Sequence, residues 1–282
     1  MPIYQKRCLT VQDISCFGKC SNTVAVPVVS AAGAEAVMLP TALLSTHTGG
    51  FKGFTFLDLT DEMRKITDHW IASEIRFECL YTGYFGSAEQ LSLVREREEK
   101  LLTADALRII DPVMGDGGKM YPIYDDAYAA AMRAFCAGAD VITPNITEAC
   151  LLAGIPYIGE HYTPENADKL LTALGGIGVK RAVVTGFRFG TEGAEENIGI
   201  AARDYTTGDS FTASGVRENI SLHGTGDVFA AALVGNLLKG EKLRPAVMKT
   251  LAFLAECIKD TAAAMPEHWY GVLFEKQLWR LA

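Results

Sequence analysis

Short apolar runs alternate with longer runs of helical periodicity along the whole chain. Residues 8–11 predict a first strand and residues 22–32 a helix that Gly33 stops. Residues 35–39 predict a second strand, closed by Pro40. Over 60–72, Met63, Ile66, Trp70 and Ile71 recur at helical spacing, with Thr60 placed to cap the helix. Strand, helix and strand follow at 77–82, 88–102 and 107–110, then a helix at 125–137, a strand at 140–143, a helix at 164–174 and a strand at 181–185. Residues 198–202 and 210–213 read as a more exposed antiparallel pair, and helices at 226–238 and 244–264 close the pattern. Repeated strand–helix alternation predicts an α/β fold with a mostly parallel central sheet between helical layers. No internal repeat or low-complexity segment divides it, so residues 1–282 are expected to form a single domain. In such sheets ligands gather at the carboxyl ends of the strands, so the loops after strands are where chemistry is sought.

Composition narrows the classes. With 282 residues, 49% hydrophobic and 21% charged, the chain is neither disordered, collagen-like nor a disulfide-stapled miniprotein. A formal charge of −8 without a Lys/Arg run argues against a nucleic-acid partner. Seven cysteines are scattered, and Cys16 and Cys20 have no second pair to complete a zinc site. Reduced thiols in a cytoplasmic protein are the simplest expectation. The first residues show no apolar signal region, and the longest apolar stretch, 228–238, is too short to span a membrane and contains Asn236.

Several phosphate-binding and nucleophile patterns are absent: no Gly-x-x-x-x-Gly-Lys-Ser/Thr, no Gly-x-Gly-x-x-Gly opening the first helix, no Gly-x-Ser-x-Gly. Three other segments carry chemistry. In His223-Gly224-Thr225-Gly226-Asp227, glycines lead straight into an apolar helix. Backbone N–H groups at such a start form an anion site, and a carboxylate beside it can take a proton from an attacking hydroxyl. Asp227 as a mere N-terminal charge on the helix dipole is the bland alternative. In Asp111-Pro112-Val113-Met114-Gly115-Asp116, two carboxylates follow a strand end and suit magnesium. The glycines after them predict a mobile loop running to Tyr121; an ordinary Asp/Gly turn is the alternative. In Thr143-Pro144-Asn145-Ile146-Thr147-Glu148, Asn145 or Thr147 can cap the next helix with Glu148 in its first turn, or the polar groups can face a ligand. An acidic rim of this kind needs a cation between it and a nucleotide.

Together, in this order, the three segments resemble the pyridoxal kinase family of the ribokinase-like superfamily. Ser45-Thr46-His47-Thr48-Gly49-Gly50-Phe51 is similar to the family's Ser-x-His-Thr-Gly segment, and Thr82-Gly83-Tyr84 to its Thr-Gly-Tyr. The resemblance implies a ribokinase-like three-layer α/β sandwich. It implies ATP-dependent phosphorylation of the 5′-hydroxymethyl group of pyridoxal, pyridoxamine or pyridoxine. By the family pattern Asp227 is the catalytic base, and Gly224, Thr225 and Gly226 form the anion hole for the transferred phosphoryl group. Asp116 and Glu148 hold Mg2+, directly or through water, while Asp111 and Thr143 line a site for a monovalent cation, K+. Asn145 and Thr185 touch the ATP phosphates, and Thr48, Tyr84 and Tyr121 contact the pyridine alcohol. A cytoplasmic homodimer formed through the sheet edge is implied as well.

One position departs from the family pattern. Where the family has Ser at the end of the first strand, this chain has Asp13, in Val11-Gln12-Asp13-Ile14-Ser15. Facing the pyridine ring, its carboxylate would favour the cationic alcohol, pyridoxamine; a solvent-facing loop residue is the alternative. A hydroxymethylpyrimidine kinase shares the Gly-x-Gly-Asp end, but the His47-Thr48-Gly49 segment counts against it. A sugar kinase is disfavoured because the usual Gly-Gly sugar loop near the second strand is not evident. A ligand-binding regulator on a kinase fold is disfavoured by the retained base and metal carboxylates.

Overall fold

The computed structural model describes residues 5–189, 197–216 and 222–282. The chain divides into two compact units, Met1–Leu107 with Glu218–Ala282, and Arg108–Arg217. The predicted α/β alternation is present in both.

The first unit opens with β1 (Arg7–Phe17), α1 (Asn22–Ala31), β2 (Glu35–Thr46), β3 (Phe56–Asp58), α2 (Thr60–Ala72), β4 (Phe77–Thr82) and α3 (Ala88–Leu101). β1 is central: it runs parallel to β2 on one side, with Val11 opposite Leu39, and parallel to β4 on the other, with Val11 opposite Thr82. Burial on both faces accounts for the unbroken buried run from Cys8 to Asp13. β3 adds antiparallel to β2, Leu43 facing Leu57.

β2 does not stop at Pro40 as expected. Its partner β1 carries a register shift between Gln12 and Ile14, and Pro40 lies opposite Gln12. The N–H that proline lacks is therefore missing where the ladder is already interrupted. Nor does Thr60 cap α2. It is the first helical residue, and its N–H donates to Asp58 Oδ1 at 2.8 Å.

The division between the units falls inside β5 (Leu102–Ile110). The second unit continues with β6 (Gly115–Asp116), β7 (Lys119–Met120), α4 (Asp126–Cys136), β8 (Val141–Ile142), α5 (Ile146–Ala153), α6 (Pro164–Gly175), β9 (Arg181–Phe189), β10 (Asn197–Asp204) and β11 (Ser210–Val216). β5, β8 and β9 are parallel neighbours; β10 and β11 extend them antiparallel, as the exposed pair predicted. The expected loop after Gly115 is instead a two-residue hairpin. Gly117 and Gly118, at φ 57° and 77°, form the turn between β6 and β7.

The chain returns to the first unit with α7 (Thr225–Leu238) and α8 (Leu243–Ala263). Every residue of α7 from Val228 to Leu238 is buried. Such all-round burial needs small side chains where helices touch. At Gly235 a Cβ would lie 2.3 Å from that of Ala32, so α1 and α7 pack there only because the residue is glycine. Among the described residues no helix is long and apolar enough to cross a membrane.

Gln90 of α3 ties β2, β3 and α2 together from a fully buried position. Its Nε2 donates to the Thr41 carbonyl at 3.0 Å and Thr60 Oγ1 at 2.9 Å, and its Oε1 accepts from Gly86 N–H at 2.8 Å. Gln90→Leu strands those buried groups, each at a cost of about 1–3 kcal/mol. The variant is expected to unfold at markedly lower urea concentration with an unchanged m-value; a midpoint equal to the wild type would show that the network carries no stability.

Candidate active site

The residues singled out by sequence fall into two groups, one in each unit. In the first unit the helix start at α7 holds the strongest. Gly224 is the N-cap, with φ 82°, and a Cβ there would sit 2.0 Å from the Lys19 carbonyl oxygen. Only glycine tolerates both the backbone angle and the contact. Nothing crowds Gly226, so the turn presents bare backbone at the positive end of the helix.

Asp227 in the first turn is half-buried, and its Oδ1 accepts the backbone N–H of Ser21 at 2.7 Å. Burial pushes its carboxyl up to about 7, the neighbouring Asp13 pushes the same way, and the Ser21 bond opposes both. That places a proton acceptor near neutral pH beside an anion-binding turn, which is what general-base work on a hydroxyl requires.

Asp13 is not a solvent-facing loop residue. It lies within β1, is 5% exposed, and stands at the register shift, a place where a bulge re-aims a side chain. Ser15 Oγ donates to its Oδ2 at 2.8 Å and the Ser21 hydroxyl bonds it too. Burial raises its carboxyl above the usual range; these two bonds hold it down in part. Half-buried Tyr84 feels the Asp13 charge, which together with burial raises its hydroxyl. Its carbonyl accepts from Thr41 Oγ1 at 2.9 Å. Thr48 is exposed near the start of the loop leaving β2. Beside it His47 is fixed: Nδ1 accepts from Gly49 N–H at 3.1 Å, which leaves Nε2 to donate to the Tyr270 carbonyl at 2.7 Å. The His47 and His223 rings lie 5.4 Å apart.

In the second unit, Asn145 and Glu148 form a complete capping box on α5. Asn145 Oδ1 accepts from Glu148 N–H at 2.9 Å, and Glu148 Oε2 from Asn145 N–H at 2.9 Å. The capping alternative is thus realised, and it does not exhaust either side chain. Asn145 Nδ2 reaches the Gly115 carbonyl at 2.8 Å, and Glu148 Oε1 takes the Met114 N–H at 3.0 Å. The box therefore anchors the segment leading from Asp111 to Asp116. Glu148 is buried, and that burial raises its carboxyl, with the Asp116 charge acting the same way against the backbone bonds. Asp116 itself is exposed on β6. Thr185 lies on β9, its N–H donating to the Pro144 carbonyl at 2.9 Å and its backbone bridged to Asn145. Exposed Tyr121 is tied by its N–H to the Met114 carbonyl at 2.9 Å.

Asp111 and Thr143 are both buried, and Thr143 N–H donates to the carbonyl of Ile110, next to Asp111. Among the described residues, the buried Thr143 hydroxyl has no hydrogen-bond partner. A buried orphan oxygen close in sequence register to a carboxylate fits a cation with oxygen ligands. Asp116 and Glu148 offer hard carboxylate oxygens suited to magnesium. The Glu148 carboxylate accepts backbone N–H groups of Asn145, Met114 and Gly115, which leaves a lone pair for a cation or its water. Ser15, Ser21 and Lys19 escaped the sequence analysis. They act through backbone atoms or short hydroxyl contacts that leave no spacing signal.

The family model described as phosphomethylpyrimidine kinase matches residues 26–271. Pyridoxal kinase PdxY of Rubrobacter xylanophilus is 26% identical over 90% of this chain and 87% of its own length. The pyridoxine/pyridoxal/pyridoxamine kinase of Bordetella avium is 26% identical over 91% and 86%. The crystal structure of pyridoxal kinase from Lactobacillus plantarum, 32% identical, covers 98% of this chain and 96% of its own at TM-score 0.87. A Bacteroides thetaiotaomicron VPI-5482 structure with pyridoxal, 33% identical, covers 99% and 96% at TM-score 0.91.

Proposed function

We infer an ATP-dependent pyridoxal kinase, on the premise that the chain belongs to the phosphomethylpyrimidine kinase family, among the pyridoxal kinases of the ribokinase-like superfamily. The acceptor is the 5′-hydroxymethyl group of pyridoxal, pyridoxamine or pyridoxine, and the product its 5′-phosphate. One observation carries the proposal: the Asp227 carboxyl at the start of α7, beside a turn that only glycine can make.

In this reading Asp227 accepts the proton of the attacking hydroxyl while the backbone of Gly224, Thr225 and Gly226 receives charge on the transferred phosphoryl. Thr48, Tyr84 and Tyr121 position the pyridine alcohol, and Asn145 and Thr185 the ATP phosphates. Asp116 and Glu148 would hold Mg2+, and Asp111 and Thr143 K+; these ions supply neutralisation of phosphate charge. A single kinase domain, a homodimer and a cytoplasmic location complete the proposal. Exposed Leu43, Phe56 and Leu57 on β2 and β3 support association through a sheet edge, and seven free cysteines support a reducing compartment. The deciding assay presents pyridoxal, pyridoxamine, pyridoxine and hydroxymethylpyrimidine separately with ATP. Turnover of the pyrimidine alone would replace the proposal with a hydroxymethylpyrimidine kinase; turnover of none would leave a ligand-binding regulator.

Asp227→Asn is expected to fold and bind the alcohol while kcat falls roughly 10²-fold or more. Because the base must be ionised and burial raises it to about 7, wild-type kcat/KM should decline as pH falls through that value. A variant with near-wild-type kcat removes Asp227 from the mechanism.

Glu148→Gln is expected to act twice. An amide places an NH2 against one of the two backbone N–H donors, so stability drops by about 1–3 kcal/mol. Loss of the charge also raises the magnesium concentration needed for half-maximal rate. A capping residue alone would show the first effect without the second, which a magnesium titration of both proteins distinguishes.

Asp13 gives the acceptor side its preference. A carboxyl buried beside Asp227 gains most from a substrate that brings positive charge, and pyridoxamine brings an ammonium. Asp13→Ser should lower kcat/KM for pyridoxamine by roughly ten-fold or more and leave kcat for pyridoxal similar or better. Competition between mixed alcohols reads this directly; identical rankings in the two proteins would end the assignment.

A further inference from the structure

The loop from β1 to α1 serves the site entirely through its backbone. The Lys19 carbonyl fills the space beside Gly224, and the Ser21 N–H donates to Asp227. Ser21 does so at φ 49° and ψ −130°, a conformation that a residue with a Cβ rarely adopts. Such a backbone persists only where its surroundings over-determine it.

Two anchors constrain it, and both come from the stretch between Tyr270 and Glu275. His47, bonded to the Tyr270 carbonyl, presses on Gly18, where a Cβ would lie 2.1 Å from the imidazole Cδ2. The Lys19 ammonium donates to both oxygens of Glu275 at 2.6 and 2.7 Å and stands 5.2 Å over the Phe274 ring. Gly271 backs the lysine stem, with room for no Cβ: one would approach the Lys19 Cβ to 2.5 Å. The Lys19 side chain is 16% exposed and that of Glu275 53%. Glu275 is the open end of the pair, so it can be changed at the surface and its geometric effect read against the thermal midpoint.

We propose that Glu275 is a positioning residue for phosphoryl transfer: through Lys19 it holds the loop that keeps the Ser21 amide on the Asp227 carboxylate. This rests on Asp227 being the base. The groups facing that carboxylate are Asp13 of β1, which raises it, and Ser21 and Cys20 of the loop. The Ser21 amide stabilises the charged form, so loosening the loop favours the protonated base. Neither Lys19 nor Glu275 is among the residues assigned to the alcohol, so loss of the pair is expected to act on kcat more than on KM.

The test measures kcat and KM for the preferred alcohol in the full-length wild type, Glu275→Gln and Glu275→Asp, from about pH 5 to about pH 9, with thermal midpoints alongside. Glu275→Gln is expected to lower kcat near neutral pH about three- to ten-fold, to leave KM within about two-fold, and to move the acid limb to higher pH. Glu275→Asp should recover most of both. The exchange Lys19→Glu with Glu275→Lys supplies a second pair of opposite charges and should recover activity lost in Lys19→Glu alone. An acid limb unchanged in Glu275→Gln, or activity lost only in step with the thermal midpoint, overturns the proposal. Inactivity of the wild type, or full activity of Asp227→Asn, would instead remove the assignment of the base on which it rests.

Discussion

Asp227 keeps a carboxyl group partly out of water at the first turn of a helix that is buried from Val228 to Leu238, with another carboxyl, Asp13, close enough to oppose its ionisation. Left alone, the two would share protons and neither would serve as a base at neutral pH. The Ser21 amide at 2.7 Å and the positive end of α7 tilt the balance toward the charged form. Much of the first unit follows from maintaining that balance. Gly224 admits the Lys19 carbonyl so that loop and helix start can meet, Gly235 lets α1 and α7 approach, and Ser21 accepts an unfavourable backbone angle.

The second unit solves a related problem by different means. Glu148 is buried and bonded to backbone rather than to a cationic side chain among the described residues: N–H groups of Asn145 and Met114 hold its carboxylate. Because Met114 follows β5 and Asn145 follows β8, the carboxylate ties together two loops at the carboxyl ends of parallel strands. That is the position in which α/β sheets gather ligands. Capping α5 and fixing the loop from Asp111 to Asp116 are one interaction, so the bland and the functional alternatives for Glu148 do not compete.

The order of elements was legible because apolar periodicity changes between strand and helix almost everywhere in this chain. The polar clusters were legible because Gly-Thr-Gly-Asp, Asp-Pro-Val-Met-Gly-Asp and Thr-Pro-Asn-x-x-Glu each interrupt that periodicity directly after a strand or before a helix. What stayed hidden has physical reasons. β1 runs on to Phe17 although Gln12, Asp13 and Ser15 are poor strand residues; they are buried there. Local preference misleads at such functional positions. Pro40 reads as a strand end until the register shift opposite it is known. The hairpin at Gly117 and Gly118 depends on Thr147 Oγ1, which accepts the Gly118 N–H at 2.9 Å from a helix far along the chain. Lys19 and Glu275 are 256 residues apart, and no pattern along the sequence joins them.

The distribution of strain separates an enzyme from a protein that merely binds. A binding pocket for an uncharged or zwitterionic ring can be lined with satisfied polar groups and gains nothing from raising the proton affinity of a carboxyl. Here two carboxyls are raised by burial in one unit and a third in the other, a non-glycine residue is held at positive φ to touch one of them, and a buried threonine hydroxyl has no partner among the described residues. Mutation readily relieves such features where nothing depends on them, since exchanging a buried acid for a neutral isostere removes its desolvation penalty. Their concentration at the α7 start and around Asp111, Thr143 and Glu148 supports the proposed proton and phosphate chemistry of these groups. Asp13 belongs to the same arrangement: its carboxyl raises that of Asp227, so on the proposed reading one pair of acids would carry both the proton transfer and the charge preference for the alcohol.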